Sequence, residues 1–491
     1  MRSELQHLLI TPSEMTAIDQ AAAQSGIESF TLMRNAGLAV TAAALRHFPD
    51  ALRFLVLCGP GNNGGDGYVA ACGLAESGAD VAVFTLGNPA ALQGDAARAR
   101  SEWKGPVASL DAIELRAGDV VIDALFGAGL SRDVSGDVVQ PIERINASGL
   151  PVIAVDLPSG IDGRTGEVRG AAFAARHTVT FMAPKPGHWL LPGRSLCGTL
   201  DVFDIGIPPR IVLAEAGPLR LNSPTVWSGW GGDLAPSTHK FRRGHLVVFS
   251  GDRQATGAAR LAATAGLAAG AGLVTVATGK AALGINASQL TAVMVNEVEG
   301  KRDLTKWLQD RRLGSFVLGP GFGVGKKARD FALALCDRSL VLDADGITSF
   351  QANREELFAA LARGGGQMVM TPHEGEFARL FPQIAGDGAL SKIERAQKAA
   401  RESHAVIVYK GADTVIAAPD GRAVVNNNAP AWLATAGSGD VLAGITGAHL
   451  AQGMPAFEAA AAAVWRHGAA GSQAGRGLTA ETLIGVIPPM A

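Results

Sequence analysis

Cysteine is scarce in this chain, and the scarcity excludes a good deal. Four residues (Cys58, Cys72, Cys197, Cys336) are scattered over 491 positions with no C-x-x-C and no metal-ligand spacing. A disulfide framework is excluded, and the four read as small buried apolar residues in a reducing compartment. Charge of one sign is missing as well. With 43 Lys and Arg against 45 Asp and Glu the net charge is -2, and no long basic or acidic run breaks the balance. That removes the electrostatic footprint of a nucleic-acid or anionic-membrane binder and leaves small molecules as the expected partners. The opening MRSELQHLLITPSEM carries charge where a signal peptide would be apolar, and no uninterrupted apolar run is long enough to span a bilayer. A cytoplasmic protein is expected.

What is present is material for two cores: a hydrophobic fraction of 47% against 18% charged residues in a chain longer than one ordinary domain. Regular patterning fails between Ile207 and Arg243, where prolines stand at 208, 209, 218, 224 and 236 beside the run Gly229-Trp230-Gly231-Gly232. This break predicts a first domain over 1–212, a linker over 213–224 and a second domain over 225–491.

Around Thr435-Ala436-Gly437-Ser438-Gly439-Asp440 the second domain shows its chemistry. Two glycines and a small hydroxyl precede an apolar helix, an arrangement that turns backbone N–H groups and a helix N-terminus toward a phosphate. A carboxylate beside a phosphate is repelled by it, so Asp440 suggests a base that accepts a proton from a hydroxyl in phosphoryl transfer. The plainer alternative is a helix-start carboxylate stabilised by the dipole.

In the first half, helices are expected between 13 and 46, then strand Arg53–Leu57, the loop Gly59-Pro60-Gly61-Asn62-Asn63-Gly64-Gly65-Asp66-Gly67, a helix Tyr68–Glu76 and strand Val81–Thr85. The loop is not G-x-G-x-x-G; its distinction is Asn62, Asn63 and Asp66 among five glycines. Strands 119–122 and 152–155 lead into Asp123 and Asp156. If these strands are parallel, all three loops line one crevice at their carboxyl ends. Each Asp also suits a simple turn. Lys185, held between Pro184 and Pro186, suits a catalytic ammonium and a surface turn equally. In the second half, strand after strand again ends in a polar loop, as in a second doubly wound α/β domain. His373-Glu374-Gly375-Glu376 is not H-E-x-x-H, so no zinc is read there; His373 is either a hydrogen-bonding group in a cleft or a satisfied structural histidine.

Over nearly its whole length the chain resembles the bifunctional NAD(P)H-hydrate repair enzymes. The resemblance lies in Leu32-Met33 with Asn35-Ala36-Gly37, GPGNNGGDG at 59, DALFGAG at 123 and VDLPSGIDG at 155, then His239-Lys240, GAGLVTVAT at 271, GPGFG at 319, TPHEGEFARL at 371, KGADT at 410 and AGSGDVLAGI at 436. It implies two doubly wound α/β domains: an N-terminal Rossmann-like NAD(P)HX epimerase and a C-terminal ribokinase-like, ADP-dependent (6S)-NAD(P)HX dehydratase. Carried over by position, it implies that Asn62, Asn63, Gly64, Gly65, Asp66, then Gly127, Ala128, Gly129, Leu130, Ser131, Arg132 and Asp133, and Asp156, hold the hydrated nucleotide. Asn63, Asp123 and Ser159 would bind K+. In the second domain Ala258, Gly321, Gly323, His373 and Asp440 would contact substrate, while Lys410, Gly411, Ala412, Asp413, Thr414 and Gly439 would hold ADP, with Mg2+. The implied catalytic residues are Asp156, Lys185 and Asp440. The implied partners are NADHX, NADPHX and ADP, with a homo-oligomer expected. Arg34 stands where the family often has an acid, and the loop 251–257 lacks the family's usual aromatic residue. A rival reading is a vitamin or sugar kinase fused to a nucleotide-binding domain, since such kinases share the Gly-Ser-Gly-Asp loop.

Overall fold

The computed structural model describes residues 5–230 and 240–490. His239, Gly231, Gly232 and Pro236, used above, lie outside the described residues. The chain divides into two compact units between Leu219 and Arg220, within the segment expected as linker.

The first unit opens with helices α1 (Pro12–Gln24) and α2 (Ser29–His47). Thr11 starts α1 through a capping box: Glu14 N–H donates to the Thr11 hydroxyl at 3.2 Å and Glu14 accepts from Thr11 N–H at 2.7 Å. Seven strands follow: β1 (Arg53–Cys58), β2 (Val81–Thr85), β3 (Val107–Ser109), β4 (Asp119–Ala124), β5 (Val152–Val155), β6 (His177–Phe181) and β7 (Thr199–Phe203). They form one sheet in the order β3-β2-β1-β4-β5-β6-β7. Its pairs are parallel, so every strand end that carries a polar loop lies on the same edge. The continuous apolar runs of β1, β4 and β5 are buried, as a sheet covered on both faces requires.

One expectation changes here. The helix after β1, α3, spans Asn62–Glu76, so only Gly59-Pro60-Gly61 is loop and the rest of the glycine run forms the helix's first turns. Its glycines serve close packing. A Cβ on Gly64 would come within 2.0 Å of the Gly59 carbonyl oxygen, and one on Gly67 within 2.6 Å of Ala124 Cβ. Helix propensity argues against this many glycines, and contact with the sheet overrides it.

In the second unit the strands are β8 (Leu219–Leu221), β9 (His245–Phe249), β10 (Leu273–Thr278), β11 (Met294–Glu297), β12 (Ser315–Leu318), β13 (Ser339–Leu342), β14 (Met368–Met370), β15 (Val406–Tyr409), β16 (Val415–Ala417) and β17 (Ala423–Val425). Their order is β11-β10-β9-β12-β13-β14-β15-β16-β17-β8. The pairs from β11 to β15 are parallel; β15-β16-β17 is antiparallel. Small residues let helices 257–268 and 438–451 approach closely: a Cβ on Gly444 would meet the Ala262 carbonyl oxygen at 2.0 Å.

The segment expected as linker is ordered. Gly217 N–H donates to Glu14 at 2.9 Å, whereas Asn222 donates to Asn426 at 3.0 Å and to the Ala461 carbonyl at 2.9 Å. The chain therefore changes unit between 217 and 222. Each unit has its own core, and the two halves expressed separately on either side of Leu219 are expected to fold alone, each with one cooperative melt. Insolubility of both halves would refute this.

Candidate active sites

In the first unit the loops after β1, β4, β5 and β6 enclose a cavity of about 680 Å³. It is lined by Asn62, Asn63, Asp66, Gly127, Ala128, Gly129, Leu130, Ser131, Arg132, Asp156 and Lys185, which the sequence had singled out. Gly64 and Gly65 are not among its walls; both are buried in packing, with a Cβ on Gly65 meeting Met33 at 2.6 Å. Asp133 faces a neighbouring depression beside Val134 and Asp137, with Arg169 at 4.0 Å.

Asp156 sits just past β5 in a left-handed backbone conformation (φ 64°), which Asp adopts more readily than most residues. Its Oδ1 receives the Lys185 ammonium at 2.8 Å and the Thr180 hydroxyl at 2.9 Å; its Oδ2 receives Ala128 N–H at 2.8 Å. Burial pushes this carboxyl up, but the Lys185 charge and these donors outweigh it and hold it at about 2. Lys185 is buried, so the surface-turn alternative is wrong. Its N–H donates to His188 Nδ1 at 2.8 Å, and His188 Nε2 in turn contacts the Asp156 carbonyl oxygen at 2.7 Å. Burial, and then the Lys185 charge, bring His188 down to about 4, so this ring is a neutral bracket that fixes the pair. Gly127 leaves room between the loops, since a Cβ there would stand 2.9 Å from Asn63 Oδ1 and 3.0 Å from Asp156 Oδ2.

Asp123 and Ser159 lie buried, outside the cavity lining. Ser159 donates to Asp123 through its hydroxyl at 2.6 Å and its N–H at 2.7 Å. Burial raises Asp123 to about 6, opposed by Ser159 and Leu125 hydrogen bonds and, among the described residues, by no cation. Asn63 Oδ1 lies beside Gly127. These are hard oxygen donors of the kind that suits an alkali cation. Among the described residues one cluster has transition-metal ligand chemistry, His47, His177 and Asp201, which sequence separation concealed. Both imidazoles meet the same Asp201 oxygen, at 3.0 and 2.8 Å, and Arg46 pairs with that oxygen too, so the cluster is accounted for as an ion-pair network.

The cavity also holds Asp19, on α1, which nothing in the sequence distinguished from an ordinary polar helix position. Asp66 is pushed well above the carboxylate range by burial and by Asp156 and Asp19.

In the second unit Asp440 stands in the first turn of helix Ser438–Ala451, whose leading N–H groups have no partner inside the helix. Burial and then Asp343 raise it to about 6, against Lys410. Lys410 donates to Asp343 Oδ1 at 2.8 Å and lies 3.9 Å from Glu376; Thr371 also donates to Asp343 Oδ1, at 2.7 Å. A Cβ on Gly439 would be 3.7 Å from the Lys410 ammonium, which places these two motifs together. Gly321 and Ala258 are neighbours as well, a Cβ on Gly321 meeting Ala258 Cβ at 3.4 Å; Gly323 N–H donates to Asp345 at 2.9 Å. Gly411 and Thr414 close a tight turn, with the Thr414 hydroxyl donating to the Gly411 carbonyl at 2.7 Å, and Asp413 pairs with Lys392 beside Ala412.

Two sequence expectations are sharpened. His373 caps the helix Glu374–Leu380, its Nδ1 accepting Gly375 N–H at 3.0 Å and Glu376 N–H at 3.3 Å, so that ring nitrogen is structural. Ser438 is buried and its hydroxyl contacts His467 Nε2 at 3.1 Å. Asp343 and Glu376 are the residues the sequence reading passed over. Their signal was position, one directly after β13 and the other in the first turn of the helix that follows β14.

Two family models match the chain: YjeF-related protein N-terminus over residues 29–187 and NAD(P)H-hydrate dehydratase over residues 246–488. The bifunctional NAD(P)H-hydrate repair enzyme of Moorella thermoacetica is 37% identical over 498 residues, covering 95% of this chain and 92% of that one. That of Escherichia coli is 34% identical over 458 residues, covering 92% and 86%. A solved ADP/ATP-dependent NAD(P)H-hydrate dehydratase of Bacillus subtilis matches 55% of this chain and 96% of its own at 24% identity, with a TM-score of 0.47. Among the described residues no helix is long and apolar enough to cross a membrane.

Proposed function

The chain belongs to the bifunctional NAD(P)H-hydrate repair enzymes, and from that membership we propose which residues of each unit carry which activity. The first unit interconverts the R and S epimers of hydrated NADH and NADPH. The second dehydrates the S epimer with ADP, giving NAD(P)H, AMP and phosphate.

One observation carries the residue assignment: each unit holds a carboxylate beside a lysine ammonium, Asp156 with Lys185 in the first, Asp440 and Asp343 with Lys410 in the second. In the first unit the cavity built by Asn62, Asn63, Asp66, Gly127 to Arg132 and Asp156 holds the hydrated nucleotide. Asp156, fixed by Lys185, stabilises positive charge developing at C6 or its nitrogen.

In the second unit the backbone around Gly439 and the turn Lys410 to Thr414 hold ADP, and Ala258, Gly321, Gly323 and the outer edge of His373 form the substrate wall. Asp440 takes the C6 hydroxyl proton as its oxygen receives the terminal phosphoryl group of ADP, whose breaking P–O bond releases AMP. Hydroxide is a poor leaving group and phosphate a good one. Cleavage of C6–O with loss of a C5 proton then restores the dihydropyridine. Magnesium arriving with the nucleotide would meet hard carboxylate oxygen at Asp343 and would neutralise phosphate charge there.

The deciding assay incubates the protein with separated hydrate epimers, with and without ADP, while reduced-nicotinamide absorbance and inorganic phosphate are followed. Accumulation of a phosphorylated product in place of phosphate would favour the kinase reading.

Potassium is proposed at Asn63, Asp123 and Ser159, where a buried carboxylate has no cation beside it among the described residues. Its bound charge would offset the cost of burying Asp123 ionised. The expected result is a higher melting temperature of the separated first unit in potassium than in tetramethylammonium chloride at equal ionic strength, with the difference lost in Asp123→Asn. Identical melting in both salts would remove the site.

A further inference from the structure

We propose that Asp19 is the proton carrier of epimerisation: its carboxylate takes the proton from the C6 hydroxyl and hands it to the ring nitrogen as the C6–N1 bond opens. The proposal rests on the epimerase reading of the first unit. The step balances without any further reactant. The O–H proton moves to the carboxylate, the C6–N1 bonding pair goes to nitrogen, C6 becomes an aldehyde carbon, and nitrogen takes the proton from the carboxylic acid. Rotation about C5–C6 presents the other face of the aldehyde, and the same transfers in reverse close the ring as the other epimer. Oxygen and nitrogen are both bonded to C6, so one two-oxygen carboxylate can serve both.

The neighbouring groups are unsuited to this work. Asp156 has both oxygens committed, to Lys185 and Thr180 on one side and to Ala128 N–H on the other. Protonating it would break the buried pair. Asp66 is buried in the first turns of α3, and burial, then Asp156 and Asp19, push its carboxyl well above the usual carboxylate range. Asp19 differs from both. It opens onto the same cavity from α1, whose start is fixed by the Thr11 and Glu14 capping box, and no hydrogen bond within the described residues engages its carboxylate.

The charges around Asp19 suit a carrier. Enclosure raises its carboxyl, Lys185 opposes, and Asp156 adds to the rise, leaving it at about 6. Asp66, Asp95 and Arg132 complete the charged groups of the cavity wall. A proton carrier works best with a pKa near the operating pH, which Asp156 at about 2 cannot offer.

The test uses the full chain and separated epimers, with interconversion followed by proton NMR above the uncatalysed rate. Asp19→Asn is expected to lower kcat about 10²- to 10⁴-fold, to change KM less than about threefold if the residue moves protons and does not merely bind, and to leave ADP-dependent dehydration of the S epimer intact. Asp19→Glu is expected to recover part of the rate with a displaced pH profile. The wild-type profile should show an acidic limb near pH 6, because the carrier must begin as the carboxylate. Wild-type-like kcat in Asp19→Asn overturns the proposal, and so does a profile flat through pH 6 in the wild type, which decides the matter even if the variant fails to fold. Absence of epimerisation in the wild type would overturn the epimerase reading instead.

Discussion

Asp440→Asn is expected to slow ADP-dependent phosphate release by about 10²- to 10⁴-fold while ADP binding stays the same or tightens. Asp440 lies in the first turn of the helix Ser438–Ala451, and the substitution leaves the backbone N–H groups of that turn in place. Removing a negative charge beside a phosphate lowers repulsion. The chemistry has no such reserve. Asp343 is tied to Lys410 and Thr371, and Glu376 accepts His373 N–H at 2.9 Å, so neither stands ready to take the hydroxyl proton. The base must start ionised, and burial next to Asp343 has raised Asp440 to about 6. Dehydration in the wild type should therefore fall as pH drops through about 6. Lys410 is the group that opposes this rise, so Lys410→Met should move the limb to higher pH. Calorimetric ADP titration beside single-turnover phosphate release decides the matter. Near-normal turnover in Asp440→Asn would return the residue to a helix-start carboxylate.

The strands and the loops at their carboxyl ends were legible because a parallel sheet buried on both faces leaves continuous apolar runs that stop at polar ends. The glycines that open α3 were misread as a loop. Glycine's local preference is all a sequence displays, whereas their cause here is non-local: Gly59, Met33 and Ala124 stand where side chains would go. Lys185 could not be placed from its flanking prolines either. Its burial depends on Asp156, which lies 29 positions earlier and reaches it only through the β5-β6 pairing. Asp19 was invisible for a third reason. On an amphipathic helix a polar residue facing solvent and one facing a cavity have the same spacing, and only the tertiary structure separates them. Among the described residues, two of the four non-glycine residues with positive φ fall at the two sites: Asp156 itself, and Ala344 immediately after Asp343.

Asp156→Asn is expected to abolish epimer interconversion while ADP-dependent removal of the S epimer continues, because the two sites belong to different units. Asparagine is nearly isosteric and accepts a left-handed backbone, so the φ of 64° at this position is not the source of the loss. The loss is of charge. A neutral amide cannot stabilise cationic character at the reacting carbon, and it strands Lys185, whose side chain is 2% exposed. Leaving one partner of a buried pair typically costs on the order of 3–5 kcal/mol, so the melting temperature of the first unit should fall as well. The pair also has a pH signature. Asp156 is depressed from 3.8 to about 2, so its stabilising contribution is complete above the unfolded value and is lost as pH falls through the folded one. The double substitution Asp156→Asn with Lys185→Met separates fold from chemistry, since it removes the stranded ammonium and should recover much of the lost stability but none of the epimerisation. If the double variant regains epimerisation along with stability, Asp156 and Lys185 only hold the loops after β5 and β6 in place, and the charge that acts on the substrate must be sought elsewhere in the cavity.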